Sequence, residues 1–365
     1  MTRDTSSTIR RIASAAIGDA NVDVASWQRT PLPWLAIART TAELARYSGT
    51  MTDGRTWSAV RKVLRRPEAW KTMDWRREAD VYVSGILDDL PPGIAAPRLY
   101  EIEDAGDEVL LWLEEIVETE KVWPLARYAA AARDLGRFNG AYLVGHPVPT
   151  GLELSRDWLG RWVANSAERS LVALDDPSFR DHELIRTAVS ASAIDRIRVV
   201  INARTRLLDE LASLPPTVSH LDAWRANLLA RDSGHDQQTV AIDWSVLGLA
   251  PPGQEIAVFV TGARIWLGVK GDDAEALGEL SYRAYLAGLR DAGWAGSERE
   301  VRFAYAASSA LWAVTPVPLW LPWFTIPDRR EWLEKKFGMP LEQAAEPFGE
   351  FIEYALALGD EALQR

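Results

Sequence analysis

Apolar and polar positions alternate in short stretches over the first third of the chain and recur at helical spacing beyond Pro124. Trp57 to Leu64 alternates loosely and predicts a half-buried strand. Trp75, Ala79, Tyr82 and Ile86 then recur at the period of a helix until Pro91-Pro92-Gly93 stops them. Between Glu108 and Ile116 the run Val-Leu-Leu-Trp-Leu is continuously apolar with acidic flanks, which suits a buried strand leading into a connector. Four long amphipathic stretches predict helices: Leu125 to Leu143, Asp181 to Leu214, Ala274 to Ala292 and Glu342 to Leu363. Gly278 and Gly288 are potential breakers inside the third. One island interrupts them, Asn227 to Trp244, where two apolar runs flank a polar turn at Asp232-Ser233-Gly234 and signal a hairpin. The pattern predicts a small α/β lobe, a connector near residue 115, and a larger helical lobe with the hairpin embedded in it.

Composition narrows the classes of function. At 365 residues the chain can form one large domain or two lobes sharing a core. Its 47% hydrophobic and 25% charged residues argue against disorder. A net charge of -11 repels phosphate backbones, so no nucleic-acid partner is expected; a cationic small molecule would be attracted, although many acidic proteins have no such partner. With no cysteine there is no disulfide, thiolate metal site or thiol catalysis. Met1 to Ala15 lacks the apolar core of a signal peptide. Ala310 to Phe324 is too short and too interrupted by Pro316, Pro318 and Pro322 to span a bilayer, so a soluble cytoplasmic protein without a membrane partner is expected. The 17 tryptophans suggest large buried aromatics and a stacking surface.

The hairpin island carries the specific chemistry. It reads Ser219-His220-Leu221-Asp222-Ala223-Trp224-Arg225-Ala226-Asn227, followed by Ala241-Ile242-Asp243-Trp244. An Asp, an Asn five residues later and a second Asp across a hairpin can bring three oxygen-bearing side chains to one point. Hard ligands of that kind suit Mg²⁺, which binds one or two carboxylates together with substrate phosphates. Phosphoryl transfer needs that metal and a carboxylate to orient the attacking hydroxyl.

The His-x-Asp-x-x-x-x-Asn loop followed by Ile-Asp-Trp resembles the aminoglycoside phosphotransferase and choline kinase superfamily, over roughly residues 40 to 260. The resemblance implies an α+β, two-lobed, protein-kinase-like fold. Residues 1–116 would form a sheet-containing nucleotide-binding lobe, with residues 1–40 either capping it or extending from it. Residues 117–365 would form the mainly helical lobe with the catalytic loop and acceptor site. It further implies ATP and Mg²⁺ as cofactors, with Asp222 orienting the acceptor hydroxyl, Asn227 and Asp243 holding the metal, and His220 bracing the loop. Lys62, positioned by Glu78, would meet the α- and β-phosphates. Leu110 to Ile116 resembles the connecting strand and hinge, so backbone at Glu114 and Ile116 would meet adenine. Ser48 to Gly54 is the match for a phosphate-covering turn, and Leu135 to Gly140 for an early helix of the large lobe, with Asn139 where a His is common. Leu221, Ser245, Trp224 and Arg225 depart from the usual pattern; Arg225 could serve the γ-phosphate or pair with a carboxylate.

Each residue also has a plainer reading. Singly, Asp222 and Asn227 are ordinary turn residues, Lys62 a snorkelling strand lysine and Glu78 an exposed helix charge. Asp243 in an apolar strand is hard to explain structurally. His146, His182 and His235 read as solvated or capping residues, and His182-Glu183 lacks the second His of a zinc protease. Trp312, Trp320, Trp323 and Phe324 read as core, with an acceptor pocket as the minority reading. Glu350 and Glu353 read as a solvated helix face. The resulting expectation is an O-phosphotransferase moving the γ-phosphate of Mg-ATP to a small hydroxylated acceptor: an aminoglycoside or other antibiotic, which would confer resistance, a sugar or an amino alcohol. The alternatives are a non-catalytic nucleotide-binding pseudokinase, against which the intact Asp222, Asn227, Asp243 and Lys62 argue, and transfer of AMP in place of phosphate.

Overall fold

Strand β6 (Glu108–Glu114) is built from the continuous apolar run because both of its faces are covered. Val109, Leu111 and Leu113 join the main core, whereas Trp112 points to a second, smaller cluster. β6 lies in a five-stranded antiparallel sheet with β1 (Val24–Pro31), β2 (Thr41–Met51), β3 (Thr56–Arg65) and β5 (Leu99–Asp104), in the order β1-β2-β3-β6-β5. The second cluster lies where helix α1 (Ser6–Ile17) sets Ile9, Ile12 and Ala13 against Tyr47, Met51, Trp57, Ala59 and Trp112. The computed structural model describes residues 6–33, 40–67, 75–118, 120–176, 182–232 and 237–365.

The helix foreseen from Trp75 to Ile86 forms only over Arg77–Val83 (α2). The Ser84 hydroxyl donates to the Val81 carbonyl at 2.7 Å and Gly85 takes a φ of 80°, so the chain turns before the prolines are reached. A two-residue strand, β4 (Ile94–Ala95), follows and pairs in parallel with Thr239 and Val240 in the second strand of the hairpin. So short a strand leaves no periodic signal.

Helix α3 spans Leu125–Leu143, the range its pattern predicts. After α4 (Trp158–Asp175), the stretch predicted from Asp181, itself outside the described residues, to Leu214 is three helices: α5 (Glu183–Ala188), α6 (Ala191–Asn202) and α7 (Arg204–Ala212). Extended backbone at Val189 ends α5, and the Ser190 hydroxyl caps α6 by accepting from Ala193 N at 3.1 Å. Strands β7 (Thr217–Ser219) and β10 (Gly248–Ala250) pair antiparallel, and β8 (Leu228–Asp232) and β9 (Gln237–Ala241) form the predicted hairpin. Ser233 and Gly234 of its turn lie outside the described residues.

The remaining helices are α8 (Gln254–Ile265), α9 (Gly271–Asp291), α10 (Glu298–Val314), α11 (Val317–Trp320), α12 (Pro327–Phe337) and α13 (Leu341–Leu363). Ala310 to Phe324 is divided between α10, α11 and a 3₁₀ turn, and among the described residues no helix is long and apolar enough to cross a membrane. Gly278 and Gly288 do not break α9; they are sites of close approach. A Cβ at Gly288 would lie 2.0 Å from the Arg133 carbonyl oxygen, and one at Gly136 of α3 would lie 2.1 Å from that of Tyr285. The two helices pack backbone to backbone there, which is what excludes a side chain.

Gly288→Ala is therefore expected to destabilise the protein by about 1–3 kcal/mol through overpacking, although alanine favours an isolated helix. Chemical denaturation of the variant against the parent protein measures the difference.

Candidate active site

Lys62 lies on the face of β3 opposite Arg61. Arg61 is buried against the Tyr47 and Trp112 rings and pairs with Glu43 at 2.7 Å. Lys62 Nζ instead meets Glu78 Oε2 on α2 at 2.6 Å and Asp243 Oδ1 just after β9 at 3.1 Å. Burial disfavours the ammonium, but the two carboxylates outweigh it and hold the Lys62 pKa above the ordinary lysine range. Burial likewise acts to raise Asp243, yet Lys62, helped by the Ser245 hydroxyl, holds it below the usual carboxylate range.

The loop after β7 carries the second half of the constellation. Leu221 has a φ of 67°, a left-handed conformation uncommon for a residue with a Cβ. Two interactions hold it. The Leu221 side chain is fully buried, and Glu255 of α8 accepts the backbone N–H groups of His220 at 2.7 Å and Leu221 at 3.0 Å. Glu255 is itself oriented by Asn139, whose Nδ2 also donates to the Val218 carbonyl at 2.8 Å, while the Tyr285 hydroxyl donates to Asn139 Oδ1 at 2.6 Å. His220 Nε2 lies 2.9 Å from the Ile242 carbonyl, which can only accept, so Nε2 carries the proton and Nδ1 accepts from Asp222 N at 3.3 Å. Burial pushes the His220 pKa down to about 4.

Asn227 Nδ2 donates to Asp222 Oδ2 at 2.7 Å and to the Asp222 carbonyl at 3.0 Å. Ile242 N donates to the Asn227 carbonyl at 2.9 Å, so Asn227 and Asp243 emerge side by side where the hairpin begins and ends. Asp243 is also left-handed, at φ 59°, which turns the chain into a 3₁₀ turn while its carboxylate meets Lys62. Burial, and then the neighbouring Asp243 carboxylate, raise the Asp222 carboxyl to about 8. No group of three or more His, Cys, Asp or Glu suited to a metal occurs among the described residues. One carboxylate and one amide oxygen nevertheless fit Mg²⁺, whose remaining ligands are commonly water and substrate phosphates.

The other expectations resolve individually. The β3–β6 ladder ends at Glu114, whose carboxylate accepts from Arg231 Nη2 at 2.8 Å, and no backbone hydrogen bond among the described residues engages Ile116. Arg225 pairs with a carboxylate: it meets Glu118 at 2.8 Å and lies 4.2 Å over the Trp123 ring. The turn at Ser48 to Gly54 is not near Lys62. It joins β2 to β3 at the end where Thr50 pairs with Thr56, whereas Lys62 pairs with Leu44 at the other end, by the β1–β2 connection. Residues 34–39 of that connection lie outside the described ones. His146 bonds the Asp89 carbonyl and His182 caps α5 through Leu184 N, while His235 lies outside the described residues. Glu353 is tied to Arg196 and Glu350 is exposed. Trp312 is buried and Trp320 and Trp323 are half-buried. Sequence reasoning missed Glu255 and Glu118. For Glu255 a signal existed, since it is an acid in a helix with no polar face.

The profile of the phosphotransferase enzyme family matches residues 34–297. Among solved structures, a microcompartment-associated aminopropanol kinase is similar at 16% identity, with a TM-score of 0.54 and 98% of each chain covered. The amicoumacin kinase hAmiN, in complex with AMP-PNP, Ca²⁺ and Ami, is similar at 14% identity and a TM-score of 0.52, covering 87% of this chain and 92% of that one. A Plasmodium vivax ethanolamine kinase is similar at 10% identity and a TM-score of 0.52, covering 88% of this chain and 85% of that one. These likenesses show a protein-kinase-like fold. No curated protein matches the chain.

Glu255→Ala would leave two buried N–H groups without an acceptor and is expected to cost about 2–5 kcal/mol of stability, read by chemical denaturation. With its pKa pushed down to about 4, the His220 imidazole is expected to stay predominantly the neutral Nε2–H tautomer from pH 8 to 6, read from the ring ¹⁵N shifts in an NMR titration.

Proposed function

The chain belongs to the phosphotransferase enzyme family, and on that premise we propose that it transfers the γ-phosphate of ATP to a hydroxyl of a small molecule. The observation that carries this is the convergence of Lys62, Glu78 and Asp243 beside the Asp222–Asn227 pair, assembled from a strand, a helix and both ends of a hairpin. The AMP-PNP and Ca²⁺ held by the amicoumacin kinase support a nucleotide and a divalent cation here.

Residues 1–116 and 117–365 act as two lobes with the nucleotide between them. The backbone at Glu114 and Ile116 receives adenine. Lys62 would bind the α- and β-phosphates, its ammonium held in place by Glu78. Asn227 and Asp243 would hold Mg²⁺. When bound, that ion neutralises charge on the transferring phosphoryl group. Asp222, fixed by Asn227, orients the acceptor hydroxyl and in its ionised form accepts the proton; a cation at Asn227 and Asp243 would favour that form by offsetting the Asp243 charge that helps to raise the Asp222 carboxyl. The rest of catalysis is positioning and preorganised charge. His220 and Glu255 hold the loop in shape and touch neither substrate.

Asp222→Ala is expected to lower acceptor-dependent ADP release by about 10²–10⁴-fold while Mg-ATP still binds. Lys62→Ala is expected to weaken nucleotide binding itself. A coupled assay for ADP and calorimetry with Mg-ATP separate the two. A parent protein that does not bind Mg-ATP would end the proposal. Binding without acceptor-dependent turnover across hydroxylated compounds would favour a non-catalytic module.

A further inference from the structure

Trp224, two residues beyond Asp222, donates its backbone N–H to the Asp222 carbonyl at 2.9 Å and packs on α8 at Gly262. A Cβ at Gly262 would lie 2.6 Å from that of Trp224, so the helix admits the indole only because glycine is there. One turn further along, Trp266 caps the end of α8. The side chain between these indoles is Lys336, whose Nζ lies 5.4 Å from the Trp224 ring centroid and 5.2 Å from that of Trp266.

Lys336 belongs to one stripe of α12, Arg329-Trp332-Lys336, spaced to share a face. Trp332 meets Trp266 edge-on at 5.8 Å and Trp323 at 6.1 Å, and Arg329 lies 4.8 Å over the Trp323 ring. Among the described residues, neither Lys336 nor Arg329 has a carboxylate within ion-pair distance. Of the three acids of α12, Glu334 serves Arg330 and Leu341 N, and Asp328 and Glu331 are exposed, neither forming an ion pair with Lys336 or Arg329 among the described residues. Burial lowers the Lys336 pKa and no acid counteracts it. The four indoles are each half-buried, so part of their surface remains open.

An aromatic cage beside a phosphoryl-acceptor site would ordinarily suit a cationic substrate, because indole faces attract ammonium groups. Here the cage already holds an ammonium belonging to the protein. A substrate cation would have to displace it from both faces and would meet a like charge in a poorly solvated place. An anionic group would find a partly desolvated cation with no partner of its own, next to faces on which a ring can stack.

We propose that Lys336, with Arg329 at the rim, selects a hydroxylated acceptor bearing an anionic group, a carboxylate or a phosphate, rather than the amine-bearing acceptors named for the similar kinases. The inference rests on Asp222 being the residue that receives the acceptor hydroxyl. The acceptor lies with its anion against Lys336 and a hydroxyl at Asp222; the phosphoryl group passes from ATP to that oxygen and the proton to Asp222, with ADP as the product.

The test uses the full chain and a matched set of ring compounds: glucuronate, glucose 6-phosphate, glucose and glucosamine, followed by wider panels of hydroxy acids, sugar phosphates and amino alcohols. Thermal shift reads binding and ADP release reads turnover, with Mg-ATP alone as a separate arm for the nucleotide site. Anion-bearing compounds are expected to bind and turn over best, the carboxylate and phosphate arms showing which anion is preferred. Lys336→Gln is expected to raise the acceptor KM by about tenfold or more while leaving Mg-ATP binding unchanged, and Lys336→Arg to restore part of the loss. A best acceptor that is cationic, an unchanged acceptor KM in Lys336→Gln, or no binding by any anionic compound while Mg-ATP binds would each overturn the proposal. Failure of Mg-ATP to bind would instead indict the nucleotide reading.

Discussion

The Lys62 ammonium between Glu78 and Asp243 is the interaction on which the arrangement turns, because it ties three separately formed elements to one buried charge. Strand β3 supplies the lysine, α2 one carboxylate and the end of the hairpin the other. Two buried carboxylates without the lysine would repel each other, and a buried lysine without them would lose its proton. Each element is therefore placed by the need of the others, and the sheet is held in register with a loop far along the chain.

A second constraint keeps Asp222 where that charge is useful. The loop from His220 to Asp222 passes through a left-handed leucine, and such a residue persists only if its surroundings hold it. Glu255 does so from a helix in which every residue is buried, and Asn139 and Tyr285 keep Glu255 aimed. The path from α9 through Tyr285 and Asn139 to the loop consists entirely of hydrogen bonds between buried groups, which fix orientation more firmly than apolar contact does.

Much of this was legible in the residues. The hairpin, α3 and the buried strand β6 follow from periodicity and from a continuous apolar run, and the Lys62–Glu78 pairing from the family resemblance. What escaped reading had weak local signals. Strand β4 is two residues long, and α2 ends on a Ser-Gly turn that precedes the obvious proline stop. The glycines of α9 look like breakers because sequence shows their conformational cost and not the neighbouring helix that requires them. The turn at Ser48 to Gly54 has the right composition for phosphate and the wrong end of the strand, a distinction set by register alone. Lys336 and Trp224 are more than a hundred residues apart, and nothing local links them.

The hairpin has one further consequence. Asn227 and Asp243 are joined at its base by the Ile242–Asn227 hydrogen bond, and the strands run outward from there to Asp232 and Gln237. Length added or removed in matched pairs at the tip leaves the base unchanged. The interval from Asp222 to Asn227, by contrast, is closed by a side chain bonding back across it and tolerates no such change. Searches for distant relatives should hold the first interval fixed and let the second float, since chain length there is free to drift while the chemistry stays in place.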